Sequence, residues 1–145
     1  MIFYFSIFDV FIRTFRQSNI KKLVLCNNIL ETLPETVVQF ELLAELDLSN
    51  NLLNHLPDSI GTHLTGLTHL SLRNNLISEP EFPKDLSGLA RSLRYLNISG
   101  NRLAVVPPQI LQLRGLSSSL FSVFISKFLI PSKKYRSKRN RNLIF

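Results

Sequence analysis

Cysteine is almost absent from this sequence: Cys26 is the single cysteine among 145 residues. One thiol cannot form an intrachain disulfide, so a small disulfide-stapled fold is excluded. Proteins without disulfides are typical of reducing compartments, and we therefore expect a cytoplasmic location.

Residue patterns that carry catalysis or hold metals are also missing. The three histidines, His55, His63 and His69, are scattered, and none is expected beside Cys26 as the activating base that a nucleophile needs. Zinc-ligand spacings, a glycine-rich phosphate loop and a paired-carboxylate motif are not found. We expect no enzyme, no cofactor, no metal and no small-molecule substrate.

Long apolar runs are lacking as well. Residues 1–12 are apolar and rich in phenylalanine, but they are too few to span a bilayer. The run has no basic start and no small-residue cleavage site, and Asp9 interrupts it, so a signal peptide is not expected.

Internal repetition is what the sequence does contain. Four segments follow the pattern LxxLxLxxNxL, beginning at Ile20, Leu43, Leu67 and Leu93. These starts are 23, 24 and 26 residues apart. Repeats of this length predict a solenoid in which neighbouring units share one core.

Each position of the pattern has a physical role. The alternation of Leu46 and Leu48 has period two, which predicts a short strand with both side chains on one face. The asparagine that follows each strand can both donate to and accept from backbone groups of a buried turn. We predict a structural ladder of Asn28, Asn51, Asn75 and Asn101.

Each strand is followed by a return limb. In the first two repeats Leu-Pro starts the limb, and the spacings of Val37 with Phe40 and of Ile60 with Leu64 predict one turn of α or 3₁₀ helix. The third limb is longer by about three residues, and its prolines at 80 and 83 predict a non-helical limb.

The pattern resembles the leucine-rich repeat family over about two thirds of the chain. The resemblance implies an α/β solenoid, an arc with a short parallel sheet on its concave face. Extracellular members usually protect their ends with cysteine-rich caps, so the composition is more similar to that of intracellular members. Family members of this kind bind proteins, which implies a non-enzymatic adaptor or scaffold.

A longer run resembles one branch of that family. Residues 73–84, with their proline-containing insertion, and residues 92–101 are similar to the leucine-rich repeat-containing protein 58 family. Members carry several more repeats and a cysteine-rich C-terminal domain. The resemblance implies substrate recognition for a cullin-type ubiquitin ligase, with ligase subunits as partners and the ligase-docking elements in the missing C-terminal part.

Three segments follow from the pattern: an apolar segment (1–19), the four repeats (20–116) and an apolar, then basic, tail (117–145). The repeats hold 8 Lys and Arg against 9 Asp and Glu, whereas the tail holds seven basic residues and no acid. The net charge of +7 therefore belongs to the tail.

The function of the two flanking segments is left open by the sequence. Ser119, Phe121 and Phe124 stand where a fifth repeat needs Leu, Leu and Asn. Residues 117–130 are compatible with a helix that caps the fourth repeat, with an amphipathic helix at an anionic membrane, or with a segment from a mispredicted gene model. Residues 133–141 are compatible with a nucleic-acid patch or with a solvated tail. Residues 1–19 are a possible cap or another such artefact.

The outward-facing strand residues form the candidate binding surface. The protein-binding residues that we predict on the concave face are Lys22, Glu45, Asp47, His69, Ser71, Arg73, Tyr95 and Asn97. We expect Glu45 and Asp47 to pair with His69 and Arg73 across adjacent strands, about 5 Å apart. Tyr and Arg dominate binding hot spots, so Tyr95 and Arg73 are the expected anchors. The alternative is an ordinary solvated sheet face, or binding of membrane or nucleic acid through the tail.

Overall fold

The computed structural model describes residues 19–116, which hold the four repeats. Each repeat contributes one strand to a parallel sheet in the order β1-β2-β3-β4. The strands are β1 (Lys22–Val24), β2 (Glu45–Asp47), β3 (His69–Ser71) and β4 (Tyr95–Asn97). Leu23, Leu46, Leu70 and Leu96 are aligned across the sheet. The predicted leucine-rich solenoid is confirmed, whereas the segments 1–18 and 117–145 lie outside the described residues.

The core lies between the sheet and the return limbs. In the second repeat Leu46 and Leu48 are buried, while the residues that alternate with them, Glu45, Asp47 and Ser49, are partly exposed. This is the alternation that the period-two pattern predicts. Since buried leucines from all four repeats belong to one hydrophobic cluster, the stack has one continuous core.

Three of the four asparagines of the predicted ladder, Asn51, Asn75 and Asn101, both accept and donate hydrogen bonds between repeats, whereas Asn28, among the described residues, only donates inside its own repeat. Asn75 is 3% exposed, and its Oδ1 accepts from the backbone N–H of Leu53 at 3.0 Å. Its Nδ2 donates to the carbonyls of Leu48 and Leu72, both at 3.0 Å. Asn51 and Asn101 repeat this arrangement, so each repeat is tied to the one before it.

A second amide ladder runs beside the first. Asn27, Asn50 and Asn74 have φ between 55° and 58°, a left-handed conformation that asparagine tolerates. Asn74 donates to Asn50 at 2.8 Å, and Asn50 donates to Asn27 at 2.9 Å. Gly100 takes the fourth position with φ 70°, because a Cβ there would lie 2.1 Å from Asn74 Oδ1.

The return limbs carry single turns of helix. They are η1 (Glu35–Gln39), α1 (Ile60–His63), η2 (Glu79–Glu81), η3 (Ser87–Leu89) and η4 (Pro108–Gln112), where η denotes a 3₁₀ helix. The turns predicted in the first two repeats are confirmed.

The prediction of a non-helical third limb is wrong. That limb contains two 3₁₀ turns, η2 and η3. Pro80 lies in the first turn of η2, where its fixed φ suits a helix start and its missing N–H is not needed. Phe82 and Leu89 are buried against the core, so the insertion is a packed part of the arc.

Close backbone contact joins the second and third limbs. Gly61 of α1 is buried, and a Cβ added there would lie 1.8 Å from the carbonyl oxygen of Asp85. A Cβ at Gly88 of η3 would lie 2.7 Å from the carbonyl oxygen of Gly61. Only glycine allows the two limbs to approach in this way.

The insertion also holds the fourth repeat through one carboxylate. Glu79 Oε1 accepts from the backbone N–H of Val105 at 2.8 Å and from that of Ala104. The hydrogen bond from Val105 is the main cause that lowers the pKa of Glu79 below its ordinary value.

We expect this carboxylate to make stability depend on acid pH. Because its pKa is lowered in the folded chain, its contribution is fully present above the ordinary pKa of about 4.3 and is lost as the pH falls further. Glu79→Ala should therefore lower the urea midpoint at pH 7 and reduce the difference between pH 7 and pH 3. Glu81→Ala is the matched control, since Glu81 is exposed on the same turn. An equal effect of both variants would contradict this role.

Within residues 19–116, no helix is long and apolar enough to cross a membrane.

Candidate functional site

The parallel register arranges the outward side chains in rows across the four strands. Lys22, Glu45, His69 and Tyr95 form the first row, and Val24, Asp47, Ser71 and Asn97 form the second. Two residues further along come Cys26, Ser49, Arg73 and Ser99. All eight predicted contact residues therefore lie on the same face of the sheet, which we call the concave face.

The first row pairs its side chains in a different way from the prediction. Lys22 Nζ lies 2.6 Å from Glu45 Oε2, and this hydrogen bond is the main cause that raises the pKa of Lys22 and lowers the pKa of Glu45. His69 stacks on Tyr95 instead, with ring centroids 5.8 Å apart and planes at 24°. The predicted pairing of Glu45 with His69 is wrong, because Glu45 forms its ion pair with Lys22.

Asp47 is also held by a group that the prediction omitted. Its Oδ1 accepts from both the backbone N–H and the hydroxyl of Ser49, at 2.9 and 2.6 Å. Within the described chain it forms no ion pair with Arg73, so that predicted pairing is wrong as well. Asn97 and Ser99 repeat the motif at 3.1 and 2.8 Å. The sequence does contain a signal for these serine hydrogen bonds, namely the spacing Asp-x-Ser at 47–49 that is repeated as Asn-x-Ser at 97–99.

Exposure separates contact residues from supporting ones. Lys22, His69 and Arg73 are exposed, and Glu45, Asp47, Ser71 and Tyr95 are partly exposed. Asn97 is only 8% exposed, and its Nδ2 donates to the Tyr95 hydroxyl at 3.2 Å. Asn97 is therefore better described as a residue that positions Tyr95 than as a contact residue.

Cys26, at the edge of this face, has little support as a nucleophile. It is partly buried, and its Sγ accepts from Asn27 Nδ2 at 3.4 Å. His55, His63 and His69 make their hydrogen bonds with residues of their own segments, not with Cys26. Within residues 19–116 no three His, Cys, Asp or Glu side chains are grouped so that they could hold a metal ion.

A family comparison matches the repeats directly. The sequence model of the family described as "Leucine rich repeat" matches twice, over residues 18–77 and 41–103. Together the two matches cover more than half of the chain. The chain belongs to the leucine-rich repeat family. The structure agrees, since an LRR protein of Leptospira interrogans superposes with a TM-score of 0.61 at 35% identity, covering 66% of this chain and 24% of that one.

Several relatives of this leucine-rich repeat protein are named leucine-rich repeat-containing protein 58. Leucine-rich repeat-containing protein 58 of Xenopus tropicalis is 40% identical over 103 residues, which are 71% of this chain and 29% of the relative. The human protein of that name is 41% identical over 98 residues, covering 64% and 26%. The predicted similarity to this branch is confirmed, and the chain spans less than a third of the length of these relatives.

Family membership supports a general function. Leucine-rich repeat arcs are typically non-enzymatic, and the relatives support a protein–protein interaction module.

Proposed function

We propose that the concave face is a protein-recognition surface and that the chain acts as a non-enzymatic adaptor in the cytoplasm. The observation that carries the proposal is the alignment of exposed and partly exposed charged and aromatic side chains on one sheet. Such a surface combines a rigid backbone with the residue types that are enriched at binding hot spots.

The rigidity of this face follows from its supports. Asn97 holds the Tyr95 hydroxyl, Ser49 orients Asp47, and the asparagine ladder ties each strand to the next. Side chains that are already oriented lose less conformational entropy when a partner binds. We infer that Tyr95 and Arg73 are the main anchors, with Asp47 and His69 beside them.

We also propose a more specific role from the similarity to leucine-rich repeat-containing protein 58. In this role the arc selects substrates for a cullin-type ubiquitin ligase, and ligase subunits dock outside the repeats. Co-precipitation of a cullin with a chain extended to the length of those relatives, but not with residues 1–145 alone, is the expected result. Equal recovery of the cullin with both chains contradicts the proposal that ligase subunits dock outside the repeats.

Charge reversal on the concave face tests the general proposal. The variant Glu45→Lys, Asp47→Lys and Arg73→Glu should weaken partner retention at least about tenfold, because it replaces each complementary charge with a like charge. The measurement is quantitative mass spectrometry of proteins retained from cell extract by the immobilised full chain.

The control is a variant with the same three charge changes elsewhere. Glu41→Lys, Asp58→Lys and Arg91→Glu change exposed residues outside the concave face. Both variants should give the circular dichroism of the unmodified chain. If the two variants lose the same partners to the same extent, the concave face is not the recognition surface.

A second candidate function rests on the tail. Seven basic residues and no acid lie within 117–145, which favours an anionic membrane surface or nucleic acid as the partner. Deleting 117–145 should then abolish co-sedimentation with vesicles rich in phosphatidylserine, or the retention of nucleic acid. Unchanged behaviour of the deletion variant contradicts this alternative.

A further inference from the structure

Charge is distributed unevenly along the arc. Residues 20–64 contain two Lys and six Asp or Glu, for a net charge of −4. Residues 65–116 contain six Lys or Arg and three Asp or Glu, for a net charge of +3. The near neutrality of the repeats therefore conceals an acidic first half and a basic second half.

The centre of the concave face has the same charge distribution, with an acidic residue, Asp47, on the second strand and a basic residue, Arg73, just after the third strand. Lys22 and Glu45 neutralise each other through their ion pair. Asp47 uses Oδ1 for both hydrogen bonds from Ser49, and within residues 19–116 its Oδ2 accepts no hydrogen bond. Arg73 is exposed and forms no ion pair within the same residues. One carboxylate oxygen and one guanidinium are thus available to a partner.

The register sets how far apart the backbone positions of Asp47 and Arg73 lie. Asp47 is aligned with Ser71, and Arg73 lies two residues beyond Ser71 on the neighbouring segment. The Cα atoms of such diagonal neighbours are about 7–8 Å apart, a spacing that long side chains can bridge. Within residues 19–116, however, Asp47 and Arg73 form no ion pair. The separation is close to the roughly 7 Å between side chains two residues apart in an extended segment.

We propose that the concave face binds an extended segment of another protein that carries Lys or Arg and, two residues away, Asp or Glu. This proposal deepens the proposed function and rests on it. The basic side chain pairs with Asp47 Oδ2, and the acidic one pairs with Arg73, whose guanidinium can hold a carboxylate through two hydrogen bonds. The stacked rings of His69 and Tyr95 lie beside this pair and supply apolar contact.

The fourth repeat shows that asparagine can replace aspartate at the position of Asp47 without loss of the local hydrogen bonds. Asn97 occupies in β4 the position that Asp47 occupies in β2, and its Oδ1 accepts the same two hydrogen bonds from Ser99. Asp47→Asn therefore removes the charge and keeps the local geometry. A loss of binding in this variant reports on the charge and not on folding.

The test is a selection of random heptapeptides displayed on phage against the immobilised full chain. Enriched peptides should carry a basic and an acidic residue two positions apart, in either order, because an extended segment can lie in both directions. Asp47→Asn should remove the preference for the basic residue, and Arg73→Gln should remove the preference for the acidic one. Each variant should weaken a selected synthetic peptide about two- to fivefold.

Matched control variants distinguish a failure of the charge-spacing inference from a failure of the proposed function on which it rests. Asp58→Asn and Arg91→Gln make the same charge changes at exposed sites outside the face and should keep both preferences. Peptides that depend on Tyr95 but show no charge spacing, or that bind Asp47→Asn unchanged, overturn the inference and leave the concave face as the binding surface. Peptides that bind without regard to any concave-face variant overturn both.

Discussion

Asn75→Ala is expected to lower the free energy of unfolding by roughly 3 to 5 kcal/mol, because it leaves several buried backbone groups unpaired at once. The amide of Asn75 accepts from Leu53 N–H and donates to the carbonyls of Leu48 and Leu72. Bulk water does not reach these groups in the folded chain, since Asn75 is 3% exposed. The expected loss is a large fraction of the roughly 5–15 kcal/mol that stabilises a typical domain.

Asn28→Ala removes the same side chain at the first position of the ladder and is the matched control. Asn28 is exposed, and its amide donates to Leu25 and Cys26 within its own repeat. We expect a loss below about 1 kcal/mol, because water can satisfy those carbonyls. Urea unfolding followed by circular dichroism gives both values. Similar losses at the two positions would show that the ladder does not join the repeats through buried bonds.

Gly61→Ala should cost about 3 kcal/mol, at the upper end of what overpacking of a core costs. The new methyl group would lie 1.8 Å from Asp85 O and 2.8 Å from Asp85 C. These are backbone atoms, so relief requires the second and third return limbs to move apart. The separation would expose part of the core that the two limbs share.

Gly66→Ala tests whether this effect is specific to the contact. Gly66 is exposed, and a Cβ there would meet its nearest atoms, Glu41 O and Leu43 O, at 3.8 Å. We expect a change within about 1 kcal/mol, because this spacing is ordinary contact and alanine restricts the unfolded chain. The measurement is the urea midpoint of each variant. Equal midpoints for Gly61→Ala and Gly66→Ala would mean that the limbs are not closely packed.

The parts of the fold that depend on period and spacing were predictable from the sequence. The in-phase leucines predicted the strands and their register, and the asparagine at a constant offset predicted a ladder that both donates and accepts. These features follow from local geometry that repeats in every unit. The doubled asparagines at 27–28, 50–51 and 74–75 were also visible, but the left-handed turn that the first of each pair forms was not inferred from them.

The parts that depend on side-chain reach and on neighbouring limbs were not predictable in the same way. Glu45 has two possible partners on adjacent strands, and the sequence does not say that Lys22 will bind it while His69 stacks on Tyr95. The third limb has an unusual length, so no other repeat indicates its path. Its two 3₁₀ turns place Phe82 and Leu89 in the core, where both side chains are buried.

Site-specific photocrosslinking tests the central claim most directly. A photoreactive amino acid at Ser71 would lie in the middle of the concave face, whereas one at the exposed Asp58 would lie outside it. Both variants are expressed in the same type of cell. We predict that position 71 crosslinks to partner proteins and that position 58 does not. The adducts from position 71 should disappear when the charges of Glu45, Asp47 and Arg73 are reversed. The same adducts from both positions, or adducts from position 58 alone, would contradict recognition through the concave face.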